Sequence, residues 1–575
     1  MASEQLISAA GPAFDPAAYI ASGRPLTMGG FLLEVTRRYP DNEALVFDDP
    51  LRNGKTRRWT YGDLERHARQ VARALIAVGV VRGERVATLM ANRPEAVAAY
   101  FGAALAGAVI VPVSTFATRY ELATLFDAAD PVVLLVQSSM GSRSFAADIM
   151  TLHEDSPEAS TRLREVAVVG PPDHEHSGDH HHPDLDPWEN FLARGDEVPE
   201  SAIDEMVAKI DPLDTALIMF SSGTTATPKG VVHHHQAPTL QFWAQAELFG
   251  RHEKTRMWTA LPIFWTAGMN TAMGATLAAG GCWVMQEGFD PGVALSLMER
   301  ERVTEPYTLP HQARTIAEHP DWEKTDLSSL RSVYGKAVFA KHPTVTGDPD
   351  WQMPVGWGMS ETCAFISAFP ASSSRETMKS SLGTLLPGNL LRIIDPETSS
   401  PVPVGEEGEL LIKGPTLMKH YLGKSHAECF DPDGWFHTGD VGHVDADGGV
   451  HWSGRRDEVI KTAGTLVSPA EIEVALRSYP PVQLARVLGL PDERLGQIAV
   501  LCVELREGAT ETAADVQRFL RERVAAYKVP KRVEFFAIGE IPLTASRTKV
   551  LDQDLRALLD ARANVEENTA NTEHG

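Results

Sequence analysis

Between residues 85 and 136 the chain repeats one pattern: a short apolar run, a helical stretch, then another apolar run. Arg85–Met90, Val109–Val113 and Val132–Val136 read as strands, and Pro94–Ala106 and Tyr120–Ala129 read as helices. Strands alternating with helices argue for βαβ units and a parallel sheet, so the fold class is α/β. Further strands are predicted at Ala216–Phe220, Gly281–Gln286 and Leu330–Tyr334. Beyond residue 388 the pattern changes to short strands with turns, at Leu390–Ile394, Glu409–Lys413 and Val450–Trp452. A compact α/β pattern follows: helix Pro469–Ser478, strands Ala485–Leu490 and Ile498–Leu505, helix Ala513–Val524 and strand Val533–Phe536. That last stretch is long enough to be a separate domain. The expected division is a lead-in over 1–30, a large domain over 31–454, a smaller one over 455–560 and a tail over 561–575.

Charge and cysteine usage remove several function classes. With 53 basic and 77 acidic side chains the formal net charge is −24, and no basic run is set apart. Such a chain repels nucleic acid and anionic membranes. Cys282, Cys363, Cys429 and Cys502 are far apart, so neither a zinc site nor a disulfide framework is suggested, and a reduced, cytoplasmic setting is expected. The first residues carry no basic region leading into an apolar core, and no stretch of about 18 apolar residues occurs, so neither a signal peptide nor a membrane span is expected. Residues 171–187 are rich in His, Asp and Pro. They read as a solvated loop, since no rigid element fixes their imidazoles for a metal.

The most informative segment follows the strand Ala216–Phe220. It runs Ser221-Ser222-Gly223-Thr224-Thr225-Ala226-Thr227-Pro228-Lys229-Gly230, and a helix is expected after it. Hydroxyls and open backbone N–H groups can cradle phosphate oxygens, and a lysine adds a point charge. The spacing is not that of a GxxxxGK[ST] loop, because Pro228 precedes the lysine and Gly230 follows it. By itself a Ser/Thr/Gly-rich loop is most often only a loop.

In sequence, FSSGTTATPKGVVHHH resembles the signature loop of the adenylate-forming superfamily, which holds acyl-CoA synthetases, adenylation domains of peptide synthetases and luciferases. Ala226 stands where the usual loop has Gly. Further segments resemble the family's elements in order, over roughly residues 30–555. Leu261–Gly268 is similar to the aromatic segment beside the acyl pocket, with Trp265 in place of the frequent His. Tyr334-Gly335-Lys336-Ala337 falls where Gly-Gly-Ala is usual, and Gly356–Thr362 resembles Gly-Tyr-Gly-Met-Thr-Glu. Gly434–Asp440 resembles Gly-Trp-Xaa-Xaa-Thr-Gly-Asp, and Gly454–Lys461 resembles the junction between the two domains. Pro542–Val550 resembles the catalytic-lysine loop, with Arg547-Thr548 where one Gly is usual.

The resemblance implies parallel α/β sheets plus a small β-barrel in the large domain and a mobile small domain. It implies an ATP site made by Ser221, Ser222, Gly223, Thr224, Thr225, Lys229, Gly335, Trp357, Gly358, Met359, Ser360, Glu361, Asp440, Arg455 and Lys549. Within it, Trp357 would stack on adenine, Ser360 contact the α-phosphate, Glu361 hold Mg²⁺ and Asp440 accept from both ribose hydroxyls. Lys549, Thr225 and Glu361 are the catalytic candidates. Asp457 falls on the hinge position, Gly464 on the channel for the pantetheine arm of coenzyme A, and Phe264, Trp265 and Gly268 on the acyl pocket.

The chemistry implied is adenylation of a hydrophobic fatty, aromatic or cyclic acid by ATP, then transfer of the acyl group to coenzyme A. The alternatives are a free-standing enzyme loading a carrier protein and a non-catalytic nucleotide sensor. Oligomeric state is not readable beyond the general prevalence of dimers.

Overall fold

The computed structural model describes residues 9–573 except 156–162, 172–184, 222–228, 334–336, 457–459, 463–464, 468, 493–494, 525–527, 545–546 and 548. The first sheet has eight strands in the order Asp186–Pro187, Glu165–Val169, Val133–Gln137, Arg85–Leu89, Val109–Pro112, Thr215–Ser221, Lys229–His234, His420–Tyr421. The first six run parallel, Lys229–His234 runs against them, and His420–Tyr421 is antiparallel to Lys229–His234. Its central strands are apolar on both faces, as burial beneath helices on each side requires.

A second sheet orders Glu305–Pro306, Arg256–Thr259, Cys282–Met285, Glu43–Asp49 and Lys55–Thr60. Helices fill the space between the two sheets. Among them Pro94–Leu105 is buried at every position, which is why its sequence, PEAVAAYFGAAL, has no polar stripe. Tyr61–Ala77 is amphipathic and starts on a capping box between Thr60 and Asp63.

The segment beyond residue 350 is antiparallel. Val355–Met359, Ala364–Phe369 and Thr384–Leu385 form one sheet. Ala9–Ala10, Leu390–Ile394, Gly408–Lys413, Phe436–Val444 and Val450–Arg455 form another. Both wrap one core that includes Trp357, Ile366, Leu391 and Ile412. The barrel implied by the resemblance takes the form of these two sheets, joined where Leu382 and Gly383 bond Val450. The small domain carries the hairpin Val482–Asp492 and Gly496–Leu505, a parallel neighbour Arg532–Phe536, and the helices Pro469–Leu476, Ala513–Arg521 and Asp552–Glu573.

Several elements differ from the sequence reading. Residues 330–333 of the expected strand Leu330–Tyr334 form a loop, because the N–H groups of Arg331 and Ser332 both go to the Thr304 carbonyl. Their apolar character comes from Leu330 and Val333 filling a core, not from a ladder. The lead-in is anchored: Ala9 and Ala10 pair with Leu391 and Leu390, and Leu26 and Met28 are buried. The last helix runs through residue 560, so the expected tail continues a helix. No helix of the described residues is long and apolar enough to cross a membrane.

Candidate active site

The strand Thr215–Ser221 delivers the Ser/Thr/Gly loop at the carboxyl edge of the parallel sheet, where open α/β sheets place their ligands. The chain then returns as the antiparallel strand Lys229–His234, with Ser221 paired to Lys229, and only afterwards enters the helix Gln236–Leu248. The expected strand–loop–helix is therefore a hairpin. Val231 and Val232 favour the extended strand. Ser222, Gly223, Thr224, Thr225, Gly335, Asp457 and Gly464 lie outside the described residues.

Lys229 is exposed, and its Nζ sits 5.5 Å from the centre of the Tyr421 ring. The Tyr421 hydroxyl donates a 2.7 Å hydrogen bond to Oε1 of Glu361. Burial, and then the adjacent Glu361 charge, push the Tyr421 phenol above its ordinary range, so it stays a donor. Lys229, Tyr421 and Glu361 thus form one cluster from three distant parts of the chain.

Glu361 sits on the single turn Ser360–Thr362 between the strands Val355–Met359 and Ala364–Phe369. The strands are tightly apposed here: a Cβ on Gly358 would lie 1.8 Å from the Ala364 carbonyl oxygen. Cys363 closes the turn with φ 61°, a left-handed conformation uncommon outside glycine. The Ser360 carbonyl accepts from His233 Nε2 at 2.8 Å, a ring whose burial drives its pKa down to about 3.

Asp440 lies on the strand Phe436–Val444. Its Oδ2 accepts a 2.8 Å hydrogen bond from the Trp357 indole, and its Oδ1 is 3.4 Å from the Arg455 guanidinium. Burial raises the Asp440 carboxyl, opposed by the Arg455 charge and by hydrogen bonds from Trp357 and Trp452. Arg455 also donates to the Thr438 carbonyl at 2.6 Å. Trp357 is buried in the antiparallel core, with its N–H committed to Asp440. Gly358 is exposed and Met359 and Ser360 partly so.

Phe264 is buried and Trp265 partly buried, and both touch Phe116, with ring centres at 5.6 and 6.0 Å. Phe116, 39% exposed, follows the strand Val109–Pro112. Gly268 starts no pocket wall of its own. A Cβ there would meet the Pro262 carbonyl oxygen at 1.9 Å, so glycine is what lets the π-helical turn Ala267–Gly274 begin. Lys549 is exposed on a loop closed by pairing of Leu543 with Val550. Among the described residues it makes no ion pair or hydrogen bond with Glu361 or Asp440.

Magnesium is commonly held by one or two carboxylates together with substrate phosphates. Glu361 offers one partly buried carboxylate, and no cluster of three acidic, imidazole or thiol groups occurs among the described residues. That donor set fits a cation arriving with its nucleotide. An open cleft of about 520 Å³ lies elsewhere, at the opposite edge of the first sheet, lined by Arg82, Arg85, Asp214 and Lys419. Its cations are bonded to Asp214, Asp130 and the Leu213 carbonyl, as a structural network.

Sequence reasoning missed Phe116, Tyr421 and Trp452. An aromatic residue in the polar segment Ser114–Thr118, just past a strand end, was a usable signal for Phe116. Nothing local marks the other two.

A family model described as AMP-binding enzyme matches residues 32–422, and one described as AMP-binding enzyme C-terminal domain matches 471–547. A feruloyl-CoA synthase of an Amycolatopsis species is 32% identical over 86% of this chain and 93% of its own. An indoleacetate–CoA ligase of Aromatoleum aromaticum is 32% identical over 88% and 94%. Among solved structures, the anthranilate CoA ligase AuaEII in complex with anthranoyl-AMP matches with TM-score 0.76 and 25% identity, over 95% of this chain and 99% of that one. With the AMP-binding model matching more than half of the chain and relatives 32% identical along most of their length, this chain belongs to the AMP-binding enzyme family, within the adenylate-forming superfamily.

Proposed function

We propose that this chain is an AMP-forming acid–CoA ligase acting on an aromatic carboxylic acid. The observation that carries the reading is the adjacency of two sets of polar and charged groups, Lys229, Tyr421 and Glu361 at the hairpin and Trp357, Asp440 and Arg455 on the neighbouring sheets, close enough that Arg455 acts on the Tyr421 phenol and Glu361 on the Asp440 carboxyl. Support for coenzyme A as acceptor comes from the relatives, which are named as CoA synthases and ligases. Support for an aromatic acid comes from the three-ring cluster of Phe116, Phe264 and Trp265 and from relatives named for feruloyl, indoleacetate and anthranilate.

The first half-reaction joins two anions. Two unit charges at 4 Å repel by about 4 kcal/mol at an effective dielectric near 20. Lys229 and the hydroxyl loop, with Thr225 in it, neutralise phosphate charge, and Lys549 approaches the attacked phosphorus when the small domain closes. Glu361 would hold Mg²⁺, which would supply further neutralisation of the phosphates. Asp440 accepts from the ribose hydroxyls, and Arg455 offsets the carboxylate charge. The attacking carboxylate is already ionised at neutral pH, so no general base is required. In the second half-reaction the thiol of coenzyme A, losing its proton, attacks the acyl carbon of the acyl-adenylate, the carbon–oxygen bond to phosphate breaks and AMP leaves. The small domain turns about Asp457 between steps, withdrawing Lys549 and bringing the Gly464 segment in.

The test is a panel of aromatic, short-chain, long-chain and cyclic acids, with AMP and pyrophosphate followed with and without coenzyme A. Coenzyme A-dependent AMP release on the aromatic acids is the expected result. Adenylation without any coenzyme A-dependent product overturns the acceptor and favours a carrier protein. Turnover restricted to fatty acids overturns the substrate class.

A further inference from the structure

The turn that carries Glu361 is held by its carbonyls. Ser360 O accepts from His233 Nε2 at 2.8 Å, and Glu361 O from the Met418 N–H at 2.7 Å. Thr362 O and Phe365 O both accept from Gln241 Nε2, at 3.2 and 2.6 Å. Cys363 O accepts from Asn270 Nδ2, and Ala364 O from the Thr362 hydroxyl at 2.6 Å. Every carbonyl from 360 to 365 therefore has a donor. Three of those donors are side chains from separate elements: the strand Lys229–His234, the helix Gln236–Leu248 and the π-helical Ala267–Gly274.

His233, Gln241 and Asn270 are essentially inaccessible. A buried polar side chain is retained where its hydrogen bonds specify a geometry that apolar packing leaves free. The geometry here is unusual. Cys363 sits in the left-handed region, and such strain persists only where the surroundings over-determine it. Gln241 is itself oriented, since its Oε1 accepts from Gln245 at 3.0 Å and Gln245 accepts from Thr271 at 2.5 Å. Thr271 neighbours Asn270, so helix, π-helical segment and turn form one hydrogen-bonded assembly.

We infer that His233, Gln241 and Asn270 are positioning residues that fix the Glu361 turn in the geometry adenylation needs, through buried hydrogen bonds to its carbonyls. This rests on the proposed role of Glu361 above. The same assembly ties the aromatic segment to Glu361, because the π-helical turn follows directly on Trp265 and Thr266.

The test is a double-mutant cycle with an independent structural readout. Gln241→Met and Asn270→Leu keep volume and remove the donors, and each is made in wild-type and Glu361→Gln backgrounds. Pyrophosphate exchange and hydrogen exchange are measured on the full chain. In the wild-type background kcat falls about tenfold with the KM for acid within about twofold, and in the Glu361→Gln background the further loss is small. Amides 360–365 exchange at least about tenfold faster while those of Val482–Asp492 are unchanged. His233→Leu behaves alike and His233→Gln, which restores a donor, recovers most of the loss.

Equal losses in both backgrounds, or unaltered exchange at 360–365, overturn the positioning role. Full activity of Glu361→Gln alone overturns the role given to Glu361, and the exchange measurement then still decides whether the side chains order the turn.

Discussion

The indole nitrogen of Trp357 and the carboxylate of Asp440 meet at 2.8 Å inside the antiparallel core, although 83 residues separate them in sequence. The bond fixes which way the carboxylate faces, and the Arg455 guanidinium approaches its other oxygen. A hydrogen bond to a charged group contributes about 1.5–3 kcal/mol. Trp357→Phe keeps the ring and removes the donor. The expected result is a rise of about tenfold or more in the dissociation constant for ATP, read by titration calorimetry, with the fold intact by circular dichroism.

Trp265 stands half in and half out of the cluster with Phe116 and Phe264. An aromatic contact of this kind is worth about 0.5–1.5 kcal/mol beyond its buried area. Trp265→Ala is expected to raise KM for aromatic acids by about tenfold and to admit bulkier acids, with KM for ATP unchanged. Equal losses for every acid would show that Trp265 supports the fold and not the choice of substrate.

His234 and His235 are both buried, and desolvation holds each near a pKa of about 4, against 6.5 for a free imidazole. The unfolded chain takes up these protons first. Their contribution to stability is therefore full above about pH 6.5 and is lost as the pH falls toward 4. With His233, held down to about 3, three such groups give a slope of about 4 kcal/mol per pH unit near pH 5. Urea midpoints measured between pH 7 and pH 5 check this. His235→Asn, which keeps an acceptor for the Met28 N–H, is expected to flatten the slope.

Arg547 adopts φ 52° in the loop before Lys549, where the resemblance led one to expect glycine. A side chain there strains the backbone by about 1–2 kcal/mol, partly offset because glycine loses more entropy on folding. Arg547→Gly is expected to stabilise the small domain by about 0.5–1 kcal/mol in a urea melt. A loss of stability would show that the arginine side chain holds the loop.

Much of this architecture was legible because periodicity is local. The alternation from Arg85 to Val136 pointed to the parallel sheet, and the motifs around Glu361 and Asp440 pointed to the two carboxylates on which the proposed site is built. What was not legible depends on which distant residues meet. Tyr421 reaches Glu361 from 60 residues away, and His233, Gln241 and Asn270 sit in strands and helices whose sequences carry no motif. A weak clue existed, since Gln241 and Gln245 interrupt an otherwise buried apolar helix without forming a polar face. The stretch Leu330–Tyr334 misled because a buried loop and a buried strand share the same hydrophobicity. The segment after the phosphate loop misled for the opposite reason, as Gln236–Leu248 supplied the helical signal a few residues late.

Pairing of Ser221 with Lys229 across the hairpin sets where the lysine backbone stands, whatever the chain does between them. The pair is the last rung of a ladder that starts at Thr215 and His234, so the strands themselves carry the lysine to the carboxyl edge of the sheet. Substitutions between the two residues are therefore expected to leave the lysine backbone in register.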